Sequence, residues 1–186
     1  MRGKYRTIVA DPPWRMPSGG PPSRSWGAGW DASQKRPSSL PYNTMSLEEI
    51  ADLPVSSIAD KNAHLYLWTT NATLEATYDI ARRWDFKPSQ LLVWAKPPRG
   101  IGMGGAFTTT TEFVLFCRRG SLPHVTKQET SWWGWRRGKH SAKPDAFLDI
   151  VEQVSPGPYV ALFARRARFG WDYWGNESLG TAEMAA

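Results

Sequence analysis

A largely β-branched run, Thr7-Ile8-Val9-Ala10, meets Asp11-Pro12-Pro13-Trp14, and no sheet strand can continue through that tetrapeptide. The run reads as a buried strand with Asp11 at its carboxyl end. Two consecutive prolines then stop the ladder, because each fixes φ near −65° and neither donates an N–H. Asp11 and Pro12, each preceding a proline, are also pushed out of helical space. What results is a rigid shelf presenting a carboxylate, bare carbonyl oxygens and one indole. Such a shelf suits an aromatic base carrying an amino group: the Asp11 side chain and the Pro12 carbonyl accept its hydrogens, and Trp14 offers a flat partner for the ring. The same four residues also read as a plain Pro-Pro turn with Trp14 packed in the core.

A length of 186 residues gives a single domain with room for a genuine core. No stretch approaches the roughly 18 to 20 apolar residues of a membrane span, and the N-terminus lacks the apolar segment of a signal peptide. Cys117 is the only cysteine, which rules out an intrachain disulfide framework and a thiolate zinc cluster. The three histidines show no ligand spacing, so no metal is expected. A cytoplasmic location is the default expectation. The formal charge of +6 favours a polyanionic partner. Its distribution sharpens that reading, since residues 132–139 (WWGWRRGK) interleave three indoles with three cations. Indoles stack on bases while Arg and Lys neutralise phosphates, so Trp133, Arg136 and Arg137 are candidate substrate-binding residues. A tryptophan-rich core corner with a solvated basic flank is the alternative.

Residues 15–41 are rich in Gly, Pro and Ser and read as a long loop placed to cover the shelf. Ser46-Leu47-Glu48-Glu49 is a capping box opening a helix. Strands are expected at 64–69, 91–96, 112–116 and 159–163. Helices are expected over 72–84 and from Pro144 through Phe147, Leu148, Ile150 and Val151. Strands alternate with helices, so the favoured class is an α/β doubly wound sheet, whose ligands bind at the carboxyl ends of strands. The tail over 178–186 is expected to be flexible.

These landmarks resemble the adenine methyltransferase family that includes the catalytic subunit of the eukaryotic mRNA 6-methyladenosine writer, and its bacterial and phage branch above all. The resemblance rests on ADPPW at 10–14, PYNTMS at 41–46, LYLWTT at 65–70 and WAKP at 94–97, followed by HSAKPD at 140–145, SPGP at 155–158 and LFARRARFGWDYWGNE at 162–177. It implies a Rossmann-like methyltransferase domain over 1–177, circularly ordered with the catalytic strand first, with substrate and cofactor loops at 15–41 and 131–143. It also implies S-adenosylmethionine as cofactor.

By the same resemblance, Asp11, Pro12, Pro13 and Trp14 form the catalytic shelf, and Tyr42 is a substrate-loop tyrosine. Lys143 pairs with the cofactor's methionine carboxylate, and Phe163, Arg165, Asn176 and Glu177 contribute to the cofactor site. The family's glutamate aligns with Glu112, preceded here by Thr111 where the family often has histidine. The implied activity is methylation of the adenine 6-amino group in nucleic acid, with DNA favoured over RNA. A homodimer or a heteromeric partner is compatible with so aromatic a chain. Two other readings are a noncatalytic nucleic-acid-binding subunit and a methyltransferase acting on small amines.

Overall fold

The computed structural model describes residues 4–15, 44–98, 100, 106–138 and 142–175. Its elements are β1 (Tyr5–Ala10), α1 (Leu47–Ala51), α2 (Val55–Ile58), β2 (Ala59–Thr69), α3 (Leu74–Arg83), β3 (Lys87–Ala95), β4 (Thr111–Arg119), β5 (Trp132–Gly134), α4 (Asp145–Val154), β6 (Tyr159–Leu162) and β7 (Trp171–Trp174). The strands make one seven-stranded sheet in the order β5-β3-β4-β2-β1-β6-β7. β4 runs antiparallel to β2 and β3, and every other neighbouring pair is parallel.

Side-chain alternation along the central strands builds two cores. Ile8 and Ala10 of β1 and Leu65 and Leu67 of β2 face one side, packed against Ile50, Val55, Ile80 and Trp84 from the three earlier helices. Val9, Tyr66 and Trp68 face the other, against Phe147 and Val151 of α4. Helices therefore cover both faces, which accounts for the continuous apolar runs in the parallel strands. The Rossmann-like α/β class expected from the sequence is the class observed.

Local signals hold with instructive exceptions. The Ser46 capping box is formed in both directions: Glu49 N–H donates to Ser46 Oγ, and Ser46 N–H donates to Glu49 Oε2. Pro144 stands one residue before α4, at the N-cap, and not as its first helical residue. β3 starts four residues earlier than expected and passes through Pro88, which is tolerated because the register shifts between Pro88 and Gln90. β6 ends at Leu162 because Phe163 takes φ +62, off the strand conformation. The expected loop over 131–143 is corrected at its start. Residues 132–134 are an edge strand paired in parallel with the carboxyl end of β3, Trp133 opposite Trp94.

Candidate active site

β1 lies inside the sheet between β2 and β6, parallel to both, so its carboxyl end opens between two strand ends. Asp11 emerges there, and its N–H still donates to Leu162 of β6 at 3.3 Å. The two prolines then release the chain from the ladder. Trp14 N–H turns back to the Pro12 carbonyl at 2.8 Å, occupying one of that oxygen's two lone pairs. Met45 N–H donates to Pro13 at 2.9 Å and Arg15 N–H to Met45 at 3.0 Å. Residue 45 thus clamps the shelf from outside, directly before the capped helix α1.

Trp14 sits differently from the stacking partner expected. Its indole is 7% exposed and belongs to the core under α1. Its Nε1–H donates to the Trp68 carbonyl at 3.1 Å. Of the two readings of this residue, the structure shows the packed one, in which the indole braces the shelf from beneath. A large apolar ring next to buried strands gains more from burial than from facing solvent.

Lys143 arrives from the segment before α4 and donates to both Asp11 carboxylate oxygens at 2.8 Å. The pair is about three-quarters buried, with side-chain exposures of 23% and 24%. Lys143 Nζ also lies 3.4 Å from Glu112 Oε2 and 5.1 Å from the centroid of the Trp68 ring. Glu112 in turn bonds Lys96, whose Nζ lies over Trp94. The site is therefore an alternating row of charges, Asp11, Lys143, Glu112 and Lys96, resting on two perpendicular indoles. Burial pulls the Lys143 pKa down, but the carboxylates of Asp11 and Glu112 outweigh it and leave the pKa above the ordinary lysine value. Lys143 is a firmly held cation. Glu112 and Lys96 were not singled out as site residues from sequence. The only signal for Glu112 was its alignment with a family glutamate.

A pocket opens beside this row at the carboxyl ends of β1 and β6, lined by Asp11, Trp68, Lys143, Leu148, Phe163 and Arg165, among others. Phe163, in its left-handed conformation, packs edge-on against Trp174, and its N–H bonds the Trp174 carbonyl. The neighbouring arginines carry ion pairs of their own, Arg166 at the pocket wall. Arg166 pairs with Asp145 at 3.1 Å, and Arg168 bonds Asp149 and Glu152 on α4. Expected site residues Tyr42, Asn176 and Glu177 lie outside the described residues, as do most of the 15–41 loop and the 178–186 tail.

The tryptophan-rich segment reaches the same edge of the sheet. Trp133 and Trp135 stack in parallel, 5.5 Å between centroids and 2° between planes. Trp94, which lies perpendicular to Trp68, donates to the Trp135 carbonyl at 2.9 Å. Arg136 is exposed, and Arg137 reaches back to the Thr109 carbonyl at 3.4 Å. Asp11, Lys143 and the stacked indoles are therefore joined through one aromatic underlayer.

Comparison with known proteins shows the family to which the chain belongs. The MT-A70 family profile matches residues 5–177. "Type II methyltransferase M.MunI" of Mycoplasma sp is 31% identical over 186 residues, covering 95% of this chain and 78% of that protein. A "Putative N(6)-adenosine-methyltransferase MT-A70-like" protein of Medicago truncatula is 28% identical, over 96% of this chain but 27% of its own length. "N(6)-adenine-specific methyltransferase METTL4" of Homo sapiens is 24% identical, over 96% of this chain and 38% of that protein.

Proposed function

Because the chain belongs to the MT-A70 family, we propose that it transfers a methyl group from S-adenosylmethionine to the 6-amino group of adenine in nucleic acid, with DNA preferred over RNA. One observation carries the reading: a carboxylate and a proline carbonyl share a rigid shelf at the open end of β1, an interior strand parallel to both its neighbours. The preference for DNA follows the compact relative matched over most of its length, the Mycoplasma type II methyltransferase. The relatives named for adenosine are several times longer than the part this chain matches.

The donor set of the pocket fits such a cofactor. Lys143 provides a cation for a carboxylate, Arg165 a second cationic donor, and Phe163 and Leu148 apolar walls. Lys143, Phe163 and Arg165 would hold it, with Asn176 and Glu177 as further contacts. When bound, S-adenosylmethionine supplies an electrophilic methyl group on a sulfonium.

The chain's own residues do the rest by placement. An aromatic amine is a poor nucleophile because its lone pair is delocalised into the ring. Asp11 and the Pro12 carbonyl accept its two N–H groups and favour a pyramidal nitrogen. Pro13 fixes the shelf so that these acceptors cost no reorganisation at the moment of reaction. Asp11 works as an acceptor and electrostatic partner for charge developing on the nitrogen, oriented by the bonds Lys143 makes to both its oxygens. Much of the rate comes from orientation and exclusion of water. Trp133, Arg136 and Arg137, with Tyr42 on its loop, engage the polymer beside the target base.

The test is methyl transfer from labelled S-adenosylmethionine to single-stranded DNA, duplex DNA and RNA, with Asp11→Ala alongside. Label in 6-methyladenine of DNA, lost in the variant, is expected. Label that persists in Asp11→Ala would overturn the assignment of the shelf. Binding of cofactor and polymer without transfer would favour a noncatalytic subunit.

A further inference from the structure

Among the described residues α4 is the only helix packed on its face of the sheet, where its Phe147 meets Tyr66 and Trp68 of β2 and its Glu152 accepts from Trp171 of β7. Beside it, over β3 and β4, an open groove remains. Gln90, Arg118, His124, Lys127, Gln128 and Trp133 line it, and Glu129 is its single carboxylate. Trp133 belongs to the stacked pair next to the active site. Arg118, at the other end, is shared with a hollow at the opposite pole of the sheet that also contains Lys61, Lys87 and Arg119.

That pole holds an unresolved electrostatic conflict. Lys87 and Arg118 stand directly opposite each other across β3 and β4, where like charges destabilise the pair. Nearby arginines are neutralised, Arg119 by Asp85 at 2.9 Å and Arg82 by Asp79 at 2.7 Å. Among the described residues, no carboxylate lies within salt-bridge distance of Lys61, Lys87 or Arg118. The positive field extends inward. Burial first, then the charges of Arg118, His124 and Arg6, bring the pKa of His64 down to about 4 against the bond it makes to the Leu122 carbonyl. A protein that keeps opposed cations at the end of a polar, aromatic-ended groove has the features of a backbone-binding track.

We infer that the groove over β3 and β4 and the cation pole of Lys61, Lys87 and Arg118 form a second nucleic-acid-binding surface, along which the substrate strand continues away from the target adenine. From Trp94, paired with Trp133, to Lys87 is seven strand residues, or about 24 Å at roughly 3.4 Å per residue. That distance accommodates several nucleotides. The inference rests on the nucleic-acid reading above and adds a direction to it, because the track leaves the catalytic shelf on one side only.

Direction provides the test. Two single-stranded DNA oligonucleotides of about 12 nucleotides, a length within the usual site size of single-strand binders, carry one adenine, near the 5′ end in one and near the 3′ end in the other. Their KM values for methyl transfer are measured in the native protein and in Lys87→Gln/Arg118→Gln. The native protein is expected to favour one oligonucleotide by about fivefold or more, and the double variant to bring the ratio near one. The log–log salt dependence for the favoured oligonucleotide should fall by about 1.4, since each phosphate contact contributes roughly 0.7 in single strands. Equal KM values in the native protein, or a ratio that survives the double substitution, would overturn the track and leave the proposed function intact. Methylation of neither oligonucleotide, nor of any longer polymer, would instead refute the nucleic-acid reading and the track with it. If the double variant does not fold, Lys87→Gln alone, at an exposed position, is expected to lower the ratio and to reduce the salt slope by about 0.7, and an unchanged ratio and slope would overturn the track.

Discussion

Removing the Asp11 carboxylate should do more than stop catalysis, because it leaves Lys143 without its main partner. Breaking a fully buried ion pair by deleting one member costs about 3 to 5 kcal/mol. This pair is about a quarter exposed, and Glu112 remains 3.4 Å from Lys143 as a second carboxylate, so about 2 kcal/mol is expected for Asp11→Ala. For a chain of this length that lowers Tm by roughly 4 to 8 °C. Lys143→Ala should fall similarly, and the double variant should lose much less than the two singles together, with a coupling of about 1 to 2 kcal/mol. The pair also predicts an alkaline limb. The folded pKa of Lys143 lies above its ordinary value of 10.5, so its contribution is complete below that value and is lost as pH rises through the folded pKa. Thermal melts of the four proteins at neutral and high pH measure both quantities. Additive losses, agreeing within about 0.5 kcal/mol, would show that the two side chains do not act on each other and that Asp11 is set by the backbone alone.

Other expectations concern the surroundings of the site. Lys143→Ala should weaken S-adenosylmethionine binding by calorimetry, and an unchanged Kd would remove Lys143 from the cofactor site. His64 is buried and neutral, so the unfolded chain gains a proton that the folded one refuses between pH 6.5 and about 4. Stability should therefore drop by roughly 3 kcal/mol over that window, and a His64→Gln protein with an identical acid limb would refute the cause. Trp14→Phe should cost about 1 kcal/mol for the bond to Trp68 and Trp14→Ala about 3 to 5 kcal/mol; a large activity loss in Trp14→Phe at unchanged stability would restore the indole to a stacking role. Gly175→Ala would place its Cβ 2.9 Å from the Phe163 backbone. It should weaken cofactor binding several-fold, and an unaltered affinity would separate Phe163 from that site.

The parts of the fold carried by local chemistry were legible in the sequence. The Pro-Pro stop, the Ser46 capping box and the apolar runs of β1, β2 and β6 each dictate their own conformation. Parts set by pairing were not. Trp132–Gly134 becomes a strand only because β3 offers it an edge, and Pro88 is admitted to β3 only through a register shift. Glu112 and Lys96 are ordinary charges until the sheet places their strands side by side. Trp14 shows the limit most plainly, since a tryptophan beside a turn can stack outward or pack inward, and only the neighbouring Trp68 carbonyl decides.

The position of β1 has a consequence for how the protein is made. In chain order β1 precedes both of the strands it pairs with, β2 and β6. One of its edges is closed by β6, and the Tyr5 hydroxyl finds its acceptor, Asp172, 167 residues later. Asp11 and Lys143 are 132 residues apart. Through most of synthesis the nascent chain therefore carries an apolar strand with an open edge, a segment that invites chaperones and is prone to mispairing. Contacts of such long sequence separation also slow folding. The shelf at Asp11 is synthesised well before Lys143, so this ion pair can close only after the chain has grown by a further 132 residues.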